Sequence, residues 1–114
     1  MLKPNILRKK SDFSSIYKKG KSVGDRYIVL FYRKNGLQKK RIAFLASKKV
    51  GNAVKRNRAR RLMKESYRHI SNDLAEGYDY IFIARNTIVD KKCADVKKSL
   101  ESACRKAGIY KNRR

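Results

Sequence analysis

The sequence predicts an α+β fold, a single small domain with helices packed on a small sheet in the order α-β-β-(β)-α-β-α. Three observations carry this. A length of 114 residues suits one domain with one modest core, so residues 1–114 are read as a unit. The hydrophobic share of 41% is enough for such a core and too high for a disordered basic tail. The apolar spacing also switches along the chain between a helical period of 3.6 and a strand period of 2.

From Asp12 to Lys19 a short helix is expected, capped by Ser11 or Asp12 and ended by Gly20. Its apolar residues Phe13, Ile16 and Tyr17 share one face by the i, i+3, i+4 rule. Ser22 to Tyr32 is β-branched and aromatic and reads as one strand. Tyr27, Val29 and Phe31 point to one side of it, and Ile28, Leu30 and Tyr32 to the other. Asn35-Gly36 is a turn signal before a second strand, Arg41 to Ala46, so the two strands are expected to form a hairpin. Ser47 to Asn52 is a connector with room for a brief strand. Ala53 to Ile70 has helical period, Asn72 to Gly77 reads as a loop and Tyr78 to Ala84 as a strand. A last helix is expected from about Asp90 to Ala107, with Cys93, Val96, Leu100, Ala103, Cys104 and Ala107 as its core-facing stripe. The basic ends, about 1–10 and 108–114, are expected to be flexible.

Charge narrows the function. Lysine and arginine number 32 against nine carboxylates, a formal net charge of +23. Self-repulsion on that scale strains a compact chain, and a polyanion relieves it. Phosphate backbones fit best, because each neutralised phosphate also releases condensed counterions. An anionic membrane surface fits worse, since the cations are not confined to one amphipathic helix. No stretch approaches the roughly 20 apolar residues of a membrane span, and Met1 to Lys21 is broken by charges, unlike a signal peptide. Cys93 and Cys104 lie eleven positions apart on the expected last helix, about 16 Å along its axis. That is too far to bridge, so two reduced thiols and a cytoplasmic location are expected.

The most informative stretch is Lys48 to Arg68, KKVGNAVKRNRARRLMKESYR. On a helical wheel Ala59, Leu62, Met63, Ser66 and Ile70 fall on one side. Asn57, Arg60, Arg61, Lys64 and Arg68 fall on nearly the opposite side, flanked by Arg56 and Arg58. Only Glu65 interrupts the positive run. Stacked like charges cost a helix roughly 0.2–0.5 kcal/mol per i,i+4 pair. A face kept for solubility alone would normally intersperse carboxylates, so an external polyanion is the natural compensator. Arginine's planar fork also matches phosphate oxygens two at a time and stacks on bases.

The run Lys55-Arg56-Asn57-Arg58-Ala59-Arg60-Arg61-Leu62, preceded by Ser47-Lys48-Lys49-Val50-Gly51-Asn52-Ala53-Val54, resembles the arginine-asparagine-arginine signature of the bacterial ribonuclease P protein family. The resemblance extends in order through Asp12-Phe13 with Tyr17 and Gly20, Ser22-Val23, Asp79-Tyr80-Ile81 with Ala84-Arg85, and the helix from Lys97 to Lys106. It implies an accessory subunit of an endoribonuclease whose catalytic RNA subunit removes the 5′ leader of precursor transfer RNA. It implies that Lys48, Lys49, Arg56, Asn57, Arg58, Arg60, Arg61, Lys64 and Arg68 face the RNA subunit. It further implies that Phe13, Tyr17 and Phe31 line a cleft for the leader, and that a left-handed β-α-β crossover surrounds the basic helix. Magnesium is then expected in the RNA-containing holoenzyme, with no cofactor bound by the protein alone and no obligate protein partner.

The residues themselves are compatible with this reading. Phe13 and Tyr17 share a helix face, and flat rings stack on unpaired bases without demanding a sequence. The same rings also suit a core, Phe13 most of all. Cys104 stands where family members often carry a bulky aromatic, a departure that bears on packing. The carboxylates are scattered from Asp12 to Glu101, with no close pair in a two-metal nuclease motif, and His69 is the only histidine. Neither cysteine has zinc-site spacing, and no phosphate-binding glycine loop appears. No catalytic or metal-ligating residue is therefore expected in this chain. Two other readings share the charge, a ribosomal-type RNA binder and a duplex-DNA reader using the basic helix. The second lacks a turn-and-helix partner or dimer seam.

Overall fold

The computed structural model describes residues 5–111. Three helices, α1 (Lys10–Lys19), α2 (Ala53–Ile70) and α3 (Cys93–Ala107), accompany four strands. The strands are β1 (Lys21–Gly24), β2 (Ile28–Lys34), β3 (Arg41–Leu45) and β4 (Tyr78–Ala84). They form one mixed sheet in the order β1-β2-β4-β3. The α+β class and the element order follow the sequence expectation.

The strand pairing differs from it. Ser22 to Tyr32 is not one strand but a hairpin, β1 against β2, broken at Asp25 to Tyr27, with Lys21 opposite Tyr32 and Gly24 opposite Val29. The Asn35-Gly36 turn exists, with Gly36 at φ 71° and the Asn35 side chain accepting from the Leu37 N–H at 2.7 Å. The strands it joins are not partners, however. β4 lies between them, antiparallel to β2 and parallel to β3. The physical reason is burial. β4 reads YDYIFIA, and Asp79 to Phe82 are all buried, so this strand has an apolar demand on both faces and takes a central position. β3, α2 and β4 thereby form a parallel β-α-β crossover around the basic helix. Ser47 to Asn52 is a turn and not an extra strand.

Helix α1 starts two residues before the expected position, without a side-chain cap. Gly20 ends it by close approach: a Cβ there would lie 2.5 Å from the Ile16 carbonyl oxygen and 2.7 Å from that of Tyr32. Helix α3 starts at Cys93, later than expected, because a 3-10 turn at Asn86–Ile88 and a left-handed Asp90 (φ 68°) precede it.

Strand alternation sorts the core onto two faces. Ile28, Leu30, Tyr80 and Phe82 meet Met63, Tyr67, Ile70, Val96, Leu100 and Cys104 from α2 and α3 in the larger cluster. Full burial of each such side chain contributes about 1.5–3 kcal/mol. Tyr27, expected beside Val29 and Phe31, packs at the margin of this cluster instead, beneath the Lys91 ammonium. On the other face Leu7, Ile16, Ala43 and Ile81 form a smaller cluster edged by Phe13, Phe31, Leu45 and Ile83. Both basic ends carry packed residues: Leu7 and Ile42 are joined by a backbone hydrogen bond at the β3 edge, and Ile109 is buried. Residues 1–4 and 112–114 of those expected loose ends lie outside the described residues.

Candidate nucleic-acid interface

Helix α2 begins cleanly because Asn52 caps it, its side-chain oxygen accepting from the Lys55 N–H at 3.0 Å. Ala59, Met63, Ser66, Tyr67 and Ile70 are buried, close to the apolar side of the wheel; Tyr67 joins and Leu62 is only half-buried. The first turn carries no carboxylate, so the positive end of the helix dipole is reinforced by Lys55 and Arg56. That is a poor arrangement for an isolated helix and a good one for binding an anion. Val54 is 74% exposed in the same turn, an apolar residue among cations that charge counting overlooks.

The basic residues are not equivalent. Asn57, Arg61, Lys64 and Arg68 are exposed, as are Lys48 and Lys49 in the turn before the helix. That turn is held by backbone bonds from Val50 to Ser47 and Gly51 to Lys48, and anchored by the buried Val50. Arg60 is half-buried and donates to the Asn57 side chain, which orients both along the helix. Arg68 pairs with Glu65 at 3.0 Å on the exposed surface. Arg58 turns away from the ladder and donates to the Lys91 carbonyl oxygen at 2.8 Å, tying α2 to the loop before α3. Arg56 is half-buried, and its enclosed Nε has no hydrogen-bond partner among the described residues.

Phe13, Tyr17 and Phe31 come together. The Tyr17 and Phe31 ring centroids are 5.0 Å apart, edge to face, and those of Phe13 and Tyr17 are 6.4 Å apart. Tyr17 is 43% exposed, while Phe13 and Phe31 are half-buried against the smaller core. Burial also raises the Tyr17 hydroxyl pKa above its ordinary value. The rings are thus both core margin and open platform.

Phe13 and four polar residues of α2 meet in one groove of about 490 Å³ that runs over the edge of β3, with Tyr17 and Phe31 outside its lining. Phe13 and Leu45 line it from the α1 side, and Asn57, Arg60, Arg61 and Lys64 from α2. An apolar floor with a cationic rim suits a single strand of nucleic acid, whose bases and phosphates need opposite surroundings.

Sequence reading missed the brace that sets α1 in place. Arg41 of β3 grips the buried Asp79 of β4 with two bonds of 2.8 Å, and Asn35 donates to the same carboxylate at 2.9 Å. The outer guanidinium nitrogen of Arg41 reaches Asp12, next to Phe13, at 3.5 Å. Asp79 raises the Arg41 pKa despite partial burial. The signal in the sequence was one carboxylate inside the apolar run YDYIFIA. Among the described residues no three histidine, cysteine or acidic side chains gather as a metal site, and no helix is long and apolar enough to cross a membrane.

The family model for ribonuclease P matches residues 1–108. The chain belongs to the ribonuclease P protein family. The ribonuclease P protein component of Clostridium botulinum (strain Loch Maree / Type A3) is 44% identical over 110 residues, covering 96% of this chain and 99% of that protein. That of Caldanaerobacter subterraneus subsp. tengcongensis is 39% identical, covering 94% and 92%. Among solved structures, the Staphylococcus aureus RNase P protein superposes with a TM-score of 0.85 at 33% identity, covering 95% of this chain and 99% of that one. The Thermotoga maritima RNase P protein gives 0.79 at 29%, covering 88% and 94%. Family membership makes this chain a component of a transfer-RNA-processing endoribonuclease, an RNA-binding protein with the ribonuclease P RNA as its partner.

Proposed function

We propose that this chain grips the catalytic RNA subunit through α2 and holds the 5′ leader of precursor transfer RNA across the α1 face, so that the RNA removes the leader. The observation that carries this reading is the shared groove, in which Phe13 and the cations of α2 line one channel. A strand bound along Phe13, Tyr17 and Phe31 emerges beside Asn57, Arg60, Arg61 and Lys64, where the RNA subunit would sit. Lys48, Lys49, Arg56 and Arg68 extend the positive surface on either side. Arg58 plays a smaller part, since its guanidinium already serves the Lys91 carbonyl.

The hydrolysis itself belongs to the RNA subunit in this reading, with the magnesium held there. Four of the chain's nine carboxylates have other work: Asp79 holds Arg41, Asp25 holds Lys106, Glu65 holds Arg68 and Asp95 caps α3. Such a subunit acts in the cytoplasm, where precursor transfer RNA is made.

The test compares cleavage of precursor transfer RNA at near-physiological magnesium by this protein, its RNA subunit, and the two together. Activity confined to the mixture, or strongly raised in it, is expected. Arg60→Ala with Arg61→Ala should weaken binding to the RNA subunit and lower the salt slope by about one to two units. Tyr17→Ala with Phe31→Ala should leave that binding intact and erase the preference for leader-bearing over mature transfer RNA. Robust cleavage by the protein alone would defeat the division of labour.

A further inference from the structure

At the opposite edge of the sheet from α2, β2 outruns its neighbour. Lys21 pairs with Tyr32, so Arg33 and Lys34 have no partner on β1, whereas on the other side they pair with Asp79 and Tyr78. The missing rungs leave a notch of about 230 Å³, bordered by Lys19 to Lys21 at the end of α1, by Tyr32 to Lys34, and by Tyr78. Its two rings lie 6.4 Å apart at 47°, and Tyr78 stacks at 5.8 Å and 7° on the buried Tyr80. Tyr80 is fixed in turn by its hydroxyl, which donates to the Ala75 carbonyl oxygen at 2.6 Å. Tyr78 is therefore backed from one side by an anchored ring. Lys19, Lys21, Arg33 and Lys34 surround it, none in an ion pair among the described residues, and no carboxylate lines the notch.

We infer that this notch is a second station for the leader, taking nucleotides farther from the cleavage site than those at Tyr17 and Phe31. Stacking rings with unpaired cations match an unpaired base and its phosphates. Position favours the leader over the RNA subunit. The notch opens at Gly20, one helical turn past Tyr17, and Arg33 lies two residues beyond Phe31 on the same face of β2. Phe13, Tyr17 and the notch thus follow one another along α1, leading away from the groove beside α2. Tyr32 and Tyr78 lie on the opposite face, so in this inference the strand turns round the β2 edge beyond Lys21, where β1 supplies no rungs. The inference rests on the leader reading proposed above.

The experiment measures equilibrium binding of the assembled holoenzyme to precursor transfer RNAs whose leaders are shortened stepwise from the 5′ end. Wild-type affinity should rise with leader length in two stages. Tyr32→Ser with Tyr78→Ser should lose only the second stage, about tenfold, the value of one base stack. Lys21→Ala with Lys34→Ala, both exposed and leaving the rings intact, should lose part of it and flatten the salt dependence at long leaders only. Binding of short leaders and of the RNA subunit should not change in either variant. An equal loss at every length, a loss of RNA-subunit affinity, or no loss at all would overturn the notch assignment. If wild type ignores leader length and the Tyr17→Ala, Phe31→Ala variant behaves like wild type, the leader reading itself falls.

Discussion

On one face of the sheet α2 and α3 lie side by side over Leu30, Tyr80 and Phe82, all with no exposed surface. On the other, α1 is the one helix over the strands among the described residues, and the buried apolar cluster there is confined to Leu7, Ile16, Ala43 and Ile81. The thick face is closed by the two helices except at its margin beyond β1, where Tyr32 and Tyr78 stay half-buried beside the notch. The thin face leaves Tyr17 open and Phe13 and Phe31 half-covered, so rings that a second helix would have buried remain available for stacking. In a chain of this size, one helix fewer on a sheet face is a simple way to make a binding surface without adding a domain.

The contrast predicts that the faces separate stability from binding. Phe82→Ala removes a ring stacked at 5.6 Å on Phe44 and packed against Tyr67 and Tyr80, and should cost about 3–5 kcal/mol in urea unfolding. Phe31→Ala should cost less than half of that while abolishing leader selectivity. Equal costs would mean that the thin face is core and the open-platform reading is wrong.

The helical parts of this division are legible in the sequence, and the strand order is not. In α2 the 3.6 period fixes Ala59, Met63, Ser66 and Ile70 against Asn57, Arg61, Lys64 and Arg68 within a single segment. Strand partners depend on residues far apart in sequence. The Asn35-Gly36 turn is a true local signal with a false global reading, because β4, some forty residues later, outcompetes β3 for the side of β2. Its two-faced burial was the available clue. The candidate site is legible in parts only. The residue types could be named, but the joining of Phe13 to Arg60 and Arg61 across the β3 edge follows from that same non-local pairing. Cys104 marks another limit. It is fully buried, and burial pushes its thiol up to about 12, so it acts as a small apolar residue with no reactive role.

The brace under α1 sharpens the comparison at intermediate size. Asp79 is 6% exposed and Arg41 24%, so Asp79→Ala leaves a partly buried guanidinium with only the distant Asp12. A loss of about 2–4 kcal/mol is expected from thermal or urea unfolding. Because Arg41 also reaches α1, leader selectivity should fall as well, which Phe82→Ala should not reproduce at a temperature where that variant stays folded. Asp12→Ala breaks only the longer, more exposed contact and should cost less than about 1 kcal/mol. If Asp79→Ala unfolds at the wild-type midpoint, the brace does not hold the thin face in place.

The last test belongs to the thick face and depends on pH. Asp25, in the β1–β2 turn, is 7% exposed and accepts from Ser99 at 2.8 Å, from the Arg26 N–H at 2.8 Å and from Lys106 at 2.9 Å. Burial alone would raise its pKa, but these bonds and one from Ser102 outweigh it and hold the carboxyl well below the usual carboxylate range. In the unfolded chain the same group titrates near its ordinary value of about 3.9. The stabilisation is therefore complete above that value and drains away as pH falls below about 4 towards the native pKa. Asp25→Asn should remove about 1–2 kcal/mol at pH 7 and make stability less steep in acid than in wild type. Leader selectivity should hardly change, because Asp25 joins a strand turn to α3 and touches none of the rings on the thin face. A variant that loses leader binding in step with stability would show that the two faces are not separable, and the division of labour between them would have to be abandoned.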